Sequence, residues 1–123
     1  MKIEKITKNN IDIAHVTAGE IIITDPQSAI DMMMSASWEA GTKNIAIPKS
    51  IIAENFFILS SGLAGEILQK FVNYRFRVAI YGDYSKYTSK PLRDFIYESN
   101  KGHTVFFTEN LEQAIEKLSA SIL

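Results

Sequence analysis

The stretch Phe76-Arg77-Val78-Ala79-Ile80-Tyr81 decides the fold. Its apolar residues run on without the polar alternation of a half-buried strand, as a central strand covered on both faces requires. Such strands belong to parallel sheets, whose neighbours are reached through crossover helices. Gly82-Asp83 closes the strand. Downstream, Ser89-Lys90-Pro91 opens a helix with Leu92, Phe95, Ile96 and Ser99 on its inner face, and Asn100-Lys101-Gly102 stops it. Thr104 to Phe107 reads as the next strand. Asn110, with Gln113 three residues later, starts a last helix that turns Ala114, Ile115 and Leu118 inward.

Upstream, Ile3 to Thr7 and Ile11 to Val16 read as a hairpin, because Asn9-Asn10 tolerates the left-handed backbone of a tight turn. Ile21 to Thr24 is a β-branched run and reads as a further strand or strand extension. Asp25-Pro26 predicts a helix start: Asp caps free amides, and Pro lacks only an N–H that this position does not use. Ile30, Met33, Met34, Ser37 and Trp38 follow at helical spacing as the inner face, with the methionines as core filling, and Gly41 offers a stop. Asn44 to Pro48 is a short buried strand. Residues 49–59 read either as a loop with one helical turn or as a short strand. Ser60-Ser61-Gly62 then opens a helix with Leu63, Ile67, Leu68, Phe71 and Val72 inward. Strands that alternate with helices after an opening hairpin give an α/β fold with a mixed, mostly parallel sheet and about four helices.

Composition narrows the function. The 123 residues carry 13 basic and 14 acidic side chains, a net charge of −1. That balance argues against a nucleic-acid partner, which calls for a surplus of Lys and Arg; Lys70, Arg75 and Arg77 read as solvated charges at element ends. The chain has no cysteine, so disulfides, thiolate metal sites and a cysteine nucleophile are excluded. His15 and His103 match no metal spacing, and no cofactor is expected. Met1-Lys2-Ile3-Glu4-Lys5 lacks the apolar core of a signal peptide, and no apolar run is long enough for a membrane span. The expectation is one cytoplasmic domain over residues 1–123.

Ligands of open parallel sheets collect at the carboxyl ends of the strands. Three polar turns are predicted there: Ser60-Ser61-Gly62, the Gly82 to Tyr87 loop, and Thr108-Glu109-Asn110. Ser60, Ser61 and Gly62 suit an anion or a phosphorylation site at a helix N-terminus, or simply a serine cap. Asp83, Tyr84, Tyr87, Arg93, Glu98 and Asn100 make up the rest of the candidate binding edge, and the tyrosines suit a protein partner. Gly62-x-x-Gly65 lacks the lysine and spacing of a phosphate loop. Asp94 and Glu98, one turn apart, read as charges on an exposed face rather than as an acid–base pair.

Two resemblances follow. The run from Gly62 to Arg75 (GLAGEILQKFVNYR), with Arg77 to Ile80, Arg93 to Asn100 and the Leu111 to Leu118 helix, resembles the bacterial family called domain of unknown function 4180 over nearly the whole chain. That family implies no activity. The element order and the Ser60-Ser61-Gly62-Leu63 turn are also similar to the STAS domain of anti-sigma factor antagonists and transporter tails. In those domains a serine at this helix start is phosphorylated and switches partner binding. Ser60 takes that position here, with Ser61 beside it, but Leu59 stands where STAS domains typically have Asp. The resemblance implies a non-enzymatic regulatory or interaction module with a protein partner. A homodimer without a ligand is a further expectation. The alternative is a small-molecule-binding protein or an enzyme using Ser61, Asp83, Arg93, Glu98 and Asn100 at the same edge.

Overall fold

Asn9 and Asn10 both adopt left-handed backbone, with φ of 54° and 65°, the pair of positive values that a two-residue type I′ turn requires. They fold β1 (Lys2–Lys8) antiparallel onto β2 (Ile11–Thr17) in the computed structural model, which describes residues 1–120. Three parallel strands extend the sheet: β3 (Asn44–Pro48), β4 (Arg77–Tyr81) and β5 (Val105–Thr108). Their spatial order is the chain order, β1-β2-β3-β4-β5.

Alternate residues of each strand enter two different cores. Ala14, Val16, Ile45, Ile47, Val78 and Ile80 pack with Met32, Met33, Ile67, Phe71 and Leu92. Those partners come from α1 (Pro26–Ala40), α2 (Leu63–Asn73) and α3 (Lys90–Lys101), which therefore share one face of the sheet. Ile13, Ala46, Ala79 and Phe106 pack on the other face with Ala114 and Leu118 of α4 (Leu111–Ser119). This explains the unbroken apolar run of β4, since Val78 and Ile80 serve one core and Ala79 the other. Each fully buried Phe or Ile contributes about 1.5–3 kcal/mol to these cores.

The caps follow the sequence. Asp25 accepts the N–H of Ser28 at 2.8 Å while Ser28 Oγ accepts the N–H of Asp25 at 3.1 Å, a reciprocal capping box at the head of α1. Gly41, at φ 66°, ends that helix. The inner face of α1 differs from expectation. Ala29, Met32, Met33, Ala36 and Ala40 are buried, whereas Met34 is 42% and Trp38 90% exposed. The three alanines let the helix lie close to the sheet, and this close approach outweighs burial of the larger side chains on the opposite face.

Ile21 to Thr24 does not form a strand; Ile23 makes a single parallel bridge to Ile52. Residues 49–59 contain no strand either. With the serines that follow, the segment folds into three 3₁₀ turns, Lys49–Ile51, Glu54–Phe57 and Leu59–Ser61, which tuck Ile51, Phe56 and Phe57 into the core. Val72, placed inward by its spacing, is 51% exposed, and Ala64 is buried on α2. Among the described residues, no helix is long and apolar enough to cross a membrane.

Candidate functional site

Open α/β sheets make a ligand crevice where the strand order reverses and neighbouring loops diverge. The order here never reverses. The carboxyl edge is instead overlaid by two segments that lean on each other, residues 49–61 after β3 and the 82–89 loop after β4. Gly82 lets them approach: a Cβ there would lie 2.8 Å from the Cβ of Lys49, closer than two carbons can pack.

Aromatic rings then lock the loop down. Tyr87 stacks on Phe57, with centroids 5.2 Å apart and planes at 22°. Tyr84 meets Phe107 edge-on at 5.8 Å, and Phe107 in turn meets Phe95 at 5.9 Å. The Tyr84 hydroxyl donates to the carbonyl of Ile80 at 2.6 Å. The Tyr87 hydroxyl donates to Glu54 Oε1 at 2.8 Å and accepts from Lys49 Nζ at 3.1 Å. Lys86 Nζ reaches the same Glu54 oxygen at 2.8 Å. Both lysine ammoniums also sit over the Tyr87 ring, at 5.1 and 5.2 Å from its centroid. Lys86, followed by the Tyr87 hydroxyl, holds the Glu54 carboxyl below its ordinary range. Burial pushes the Tyr84 phenol well up; burial and then Glu54 do the same to Tyr87. Both phenols stay protonated at neutral pH, so they act as hydrogen-bond donors and not as bases.

The sequence-predicted residues divide among several places. Ser60 is exposed in a groove of about 560 Å³ between Phe57–Leu59 on one side and Lys86–Ser89, Pro91 and Leu92 on the other. Ile58, 55% exposed, forms part of its wall. Ser61 is turned to the backbone instead, where its Oγ donates to the carbonyl of Asn55 at 2.7 Å and accepts the N–H of Leu63 at 3.2 Å. Gly62, at φ 78°, turns the chain into α2. Arg93 lines a second depression of about 420 Å³ with Tyr84, Ser85, Tyr87 and Thr88. Asp83 accepts the N–H of Ser85 at 2.9 Å; the Ser85 hydroxyl, followed by that N–H, holds its carboxyl below the usual range. It lines a third depression, with Tyr84 and Glu109. Asn100 is committed to the backbone of Phe107 by two hydrogen bonds. Glu98 stands apart, paired with Lys101 on the exposed side of α3. Asp94 is likewise paired with Lys90.

Sequence reasoning missed Lys49, Glu54 and Phe57, which hold the 82–89 loop. They lie where periodicity gives no helix or strand signal, so no feature of the local sequence marks them. It also missed that His15 Nε2 and the Tyr81 hydroxyl meet at 2.7 Å. His15 pairs with Ala46, and Ala46 with Ala79, two residues before Tyr81. The two side chains therefore share a sheet face and meet over small alanines. No group of three or more His, Cys, Asp or Glu able to hold a metal occurs among the described residues.

The fold and edge define a class: an α/β domain with a sequentially ordered mixed sheet and a carboxyl edge covered by interlocked loops. Residues 8–118 match the family model described as domain of unknown function (DUF4180), and the chain belongs to that family. None of the curated proteins compared matches the sequence. Among solved structures, a candidate anti-sigma factor antagonist from Thermotoga maritima is similar, at 13% identity over 97% of this chain and 94% of that one, with a TM-score of 0.49.

Proposed function

We propose that this chain is a regulatory interaction module that engages a protein partner at the groove beside Ser60. The observation that carries the reading is the pairing of an apolar wall, exposed Ile58 and Pro91 with half-buried Leu59, with an exposed serine hydroxyl in one groove. Apolar surface at a rim of Lys86, Glu54 and Ser60 has the make-up of a small protein-binding patch. Most polar side chains at this edge already serve the fold: Tyr84, Tyr87, Ser61 and Asn100 each hold another segment in place. Such commitment suits a rigid docking surface better than a reacting centre.

Ser60 is the position at which modification regulates it. A phosphate there adds nearly two negative charges beside Lys86, which Glu54 now holds. The phosphate competes with Glu54 for that ammonium and changes the charge of the groove's rim. The test is affinity capture from the native cell with the wild type and Ile58→Asp, together with phosphosite mapping of the purified protein. A protein retained by the wild type and lost with Ile58→Asp supports the reading, as does phosphate on Ser60. Equal capture by the two forms sinks the groove as the docking site, and phosphate confined to Ser61 sinks the assignment of the switch.

A further inference from the structure

The two edges of the sheet are not equivalent. At β5, the side-chain amide of Asn100 occupies the outward N–H and C=O of Phe107, as a paired strand would. At β1, no element of the described residues pairs with the outer edge. The two-residue hairpin makes Lys8 and Ile11 its hydrogen-bonded closing pair. By alternation Lys8, Ile6, Glu4 and Lys2 spend their backbone bonds on β2. The backbone groups of Ile3, Lys5 and Thr7 therefore point away from the sheet. The far side of β2 agrees with this phase, since the carbonyl of Asp12 faces the β3 side and accepts from Thr42 Oγ1 at 2.7 Å.

We infer that β1 is a homodimer edge, pairing antiparallel with β1 of a second copy so that Ile6 lies opposite Ile6. Charge and overlap together select this register. Centred on Ile3 or Thr7 the pairing opposes no like charges, but within β1 it aligns only Lys2 to Glu4 or Ile6 to Lys8, where the Ile6 centre aligns Glu4 to Lys8. A two-fold axis normal to the sheet puts residues of like face opposite each other, so the centre must fall on a residue. Centred on Lys5, the pairing sets Lys5 against Lys5 and Lys2 against Lys8 at both ends, and leaves Glu4 facing Ile6. Centred on Glu4, it sets Glu4 against Glu4. Centred on Ile6, it sets Glu4 against Lys8 twice, Lys5 against Thr7 twice, and the half-buried Ile6 against itself. Opposite charges directly across strands stabilise a pair and like charges destabilise it. On the other face, Thr7 already donates to Asp12 at 2.6 Å, so negative charge stands behind the threonine that meets Lys5 of the second copy. The outward groups of Lys5 and Thr7 then bond each other across the axis. The lysines that discourage pairing with unrelated strands thus leave one charge-complementary register that aligns more than three residues of β1. The strand-to-strand contact is short, so the association is reversible and dependent on concentration.

The chain has no cysteine, so one introduced thiol reports its own neighbourhood. In a non-hydrogen-bonded antiparallel pair the Cα atoms lie about 4.5 Å apart, within disulfide reach. Under mild oxidation, Ile6→Cys is expected to give a covalent dimer while Ile3→Cys and Lys5→Cys stay monomeric. By sedimentation, wild type is expected to dimerise with a Kd tighter than about 1 mM. Glu4→Lys is expected to weaken the dimer at least tenfold, and Glu4→Lys with Lys8→Glu to restore it. A wild type that remains monomeric at that concentration overturns the inference. So does cross-linking at Ile3→Cys or Lys5→Cys in place of Ile6→Cys, or a dimer indifferent to Glu4→Lys while circular dichroism shows the variant folded.

Discussion

Asn100 grips the backbone of Phe107 at both of its polar atoms, accepting the N–H through Oδ1 at 2.7 Å and donating from Nδ2 to the C=O at 3.1 Å. A side-chain amide has the donor and acceptor of a peptide group, so the last turn of α3 stands in for a sixth strand. Asn100→Ala removes both bonds and is expected to cost about 1–3 kcal/mol, measured by urea unfolding. Asn100→Asp keeps the acceptor but faces the carbonyl with a second oxygen, so it is expected to lose at least as much. A loss below about 0.5 kcal/mol for Asn100→Ala, the range of ordinary surface changes, means that water replaces the amide freely and the edge is not closed by it.

The His15–Tyr81 bond predicts a dependence on pH. Burial lowers the His15 pKa from its ordinary value of 6.5; Glu4 opposes the shift and Lys2 adds to it. The unfolded chain therefore binds this proton more readily than the folded one. The contribution of neutral His15 is complete above pH 6.5 and is lost as pH falls from there through the lower folded value, below which it is flat. Urea unfolding of the wild type and His15→Gln across this window is expected to show a steeper fall with acidification for the wild type. Parallel curves mean that His15 is as basic folded as unfolded, and the depressed value is then wrong.

Legibility tracks the range of the forces involved. The hairpin, the Asp25, Ser89 and Asn110 caps and the β4 run are local, because turn geometry, capping and two-sided burial leave their mark within a few residues. The face of α1 was not legible. Spacing marks the large residues Met34 and Trp38, but which stripe meets the sheet depends on how closely the helix can approach, which Ala29, Ala36 and Ala40 decide. The candidate edge was legible as a place, since strand ends collect there, but not in its parts. Lys49 and Glu54 act on Tyr87 from 38 and 33 residues away. Asn100 was expected at a binding edge and stands in the structure as a strand substitute.

The exposed Trp38 is checkable by light alone. It is the chain's single tryptophan, so all indole fluorescence reports it. At 90% exposure its emission is expected near that of the unfolded chain, with quenching by acrylamide little changed on unfolding. Trp38→Ala is expected to shift stability by no more than about 0.5 kcal/mol, as for a surface position that packs on nothing. Blue-shifted, protected emission in the dilute folded protein shows the indole covered and refutes this orientation of α1.

Ser60 and Ser61 are adjacent and chemically identical, yet the fold gives them opposite roles. Ser61 Oγ ties the second 3₁₀ turn to the head of α2, bonding the carbonyl of Asn55 and the N–H of Leu63. Ser60 makes no side-chain bond among the described residues and opens to the groove. Ser61→Ala is therefore expected to cost about 1 kcal/mol, the usual net loss when an intramolecular hydrogen-bonding hydroxyl is removed, while Ser60→Ala leaves the melting temperature within error. A phosphomimetic sharpens the contrast. Ser61→Asp forces a charge toward the Asn55 carbonyl, two oxygens facing without a proton between them, and is expected to destabilise more than Ser61→Ala. Ser60→Asp meets solvent and Lys86 and is expected to be nearly neutral to stability. If the two serines respond alike in thermal melts, the division between a structural and a regulatory hydroxyl fails. Ser60 would then have no better claim than Ser61 as the position where modification acts.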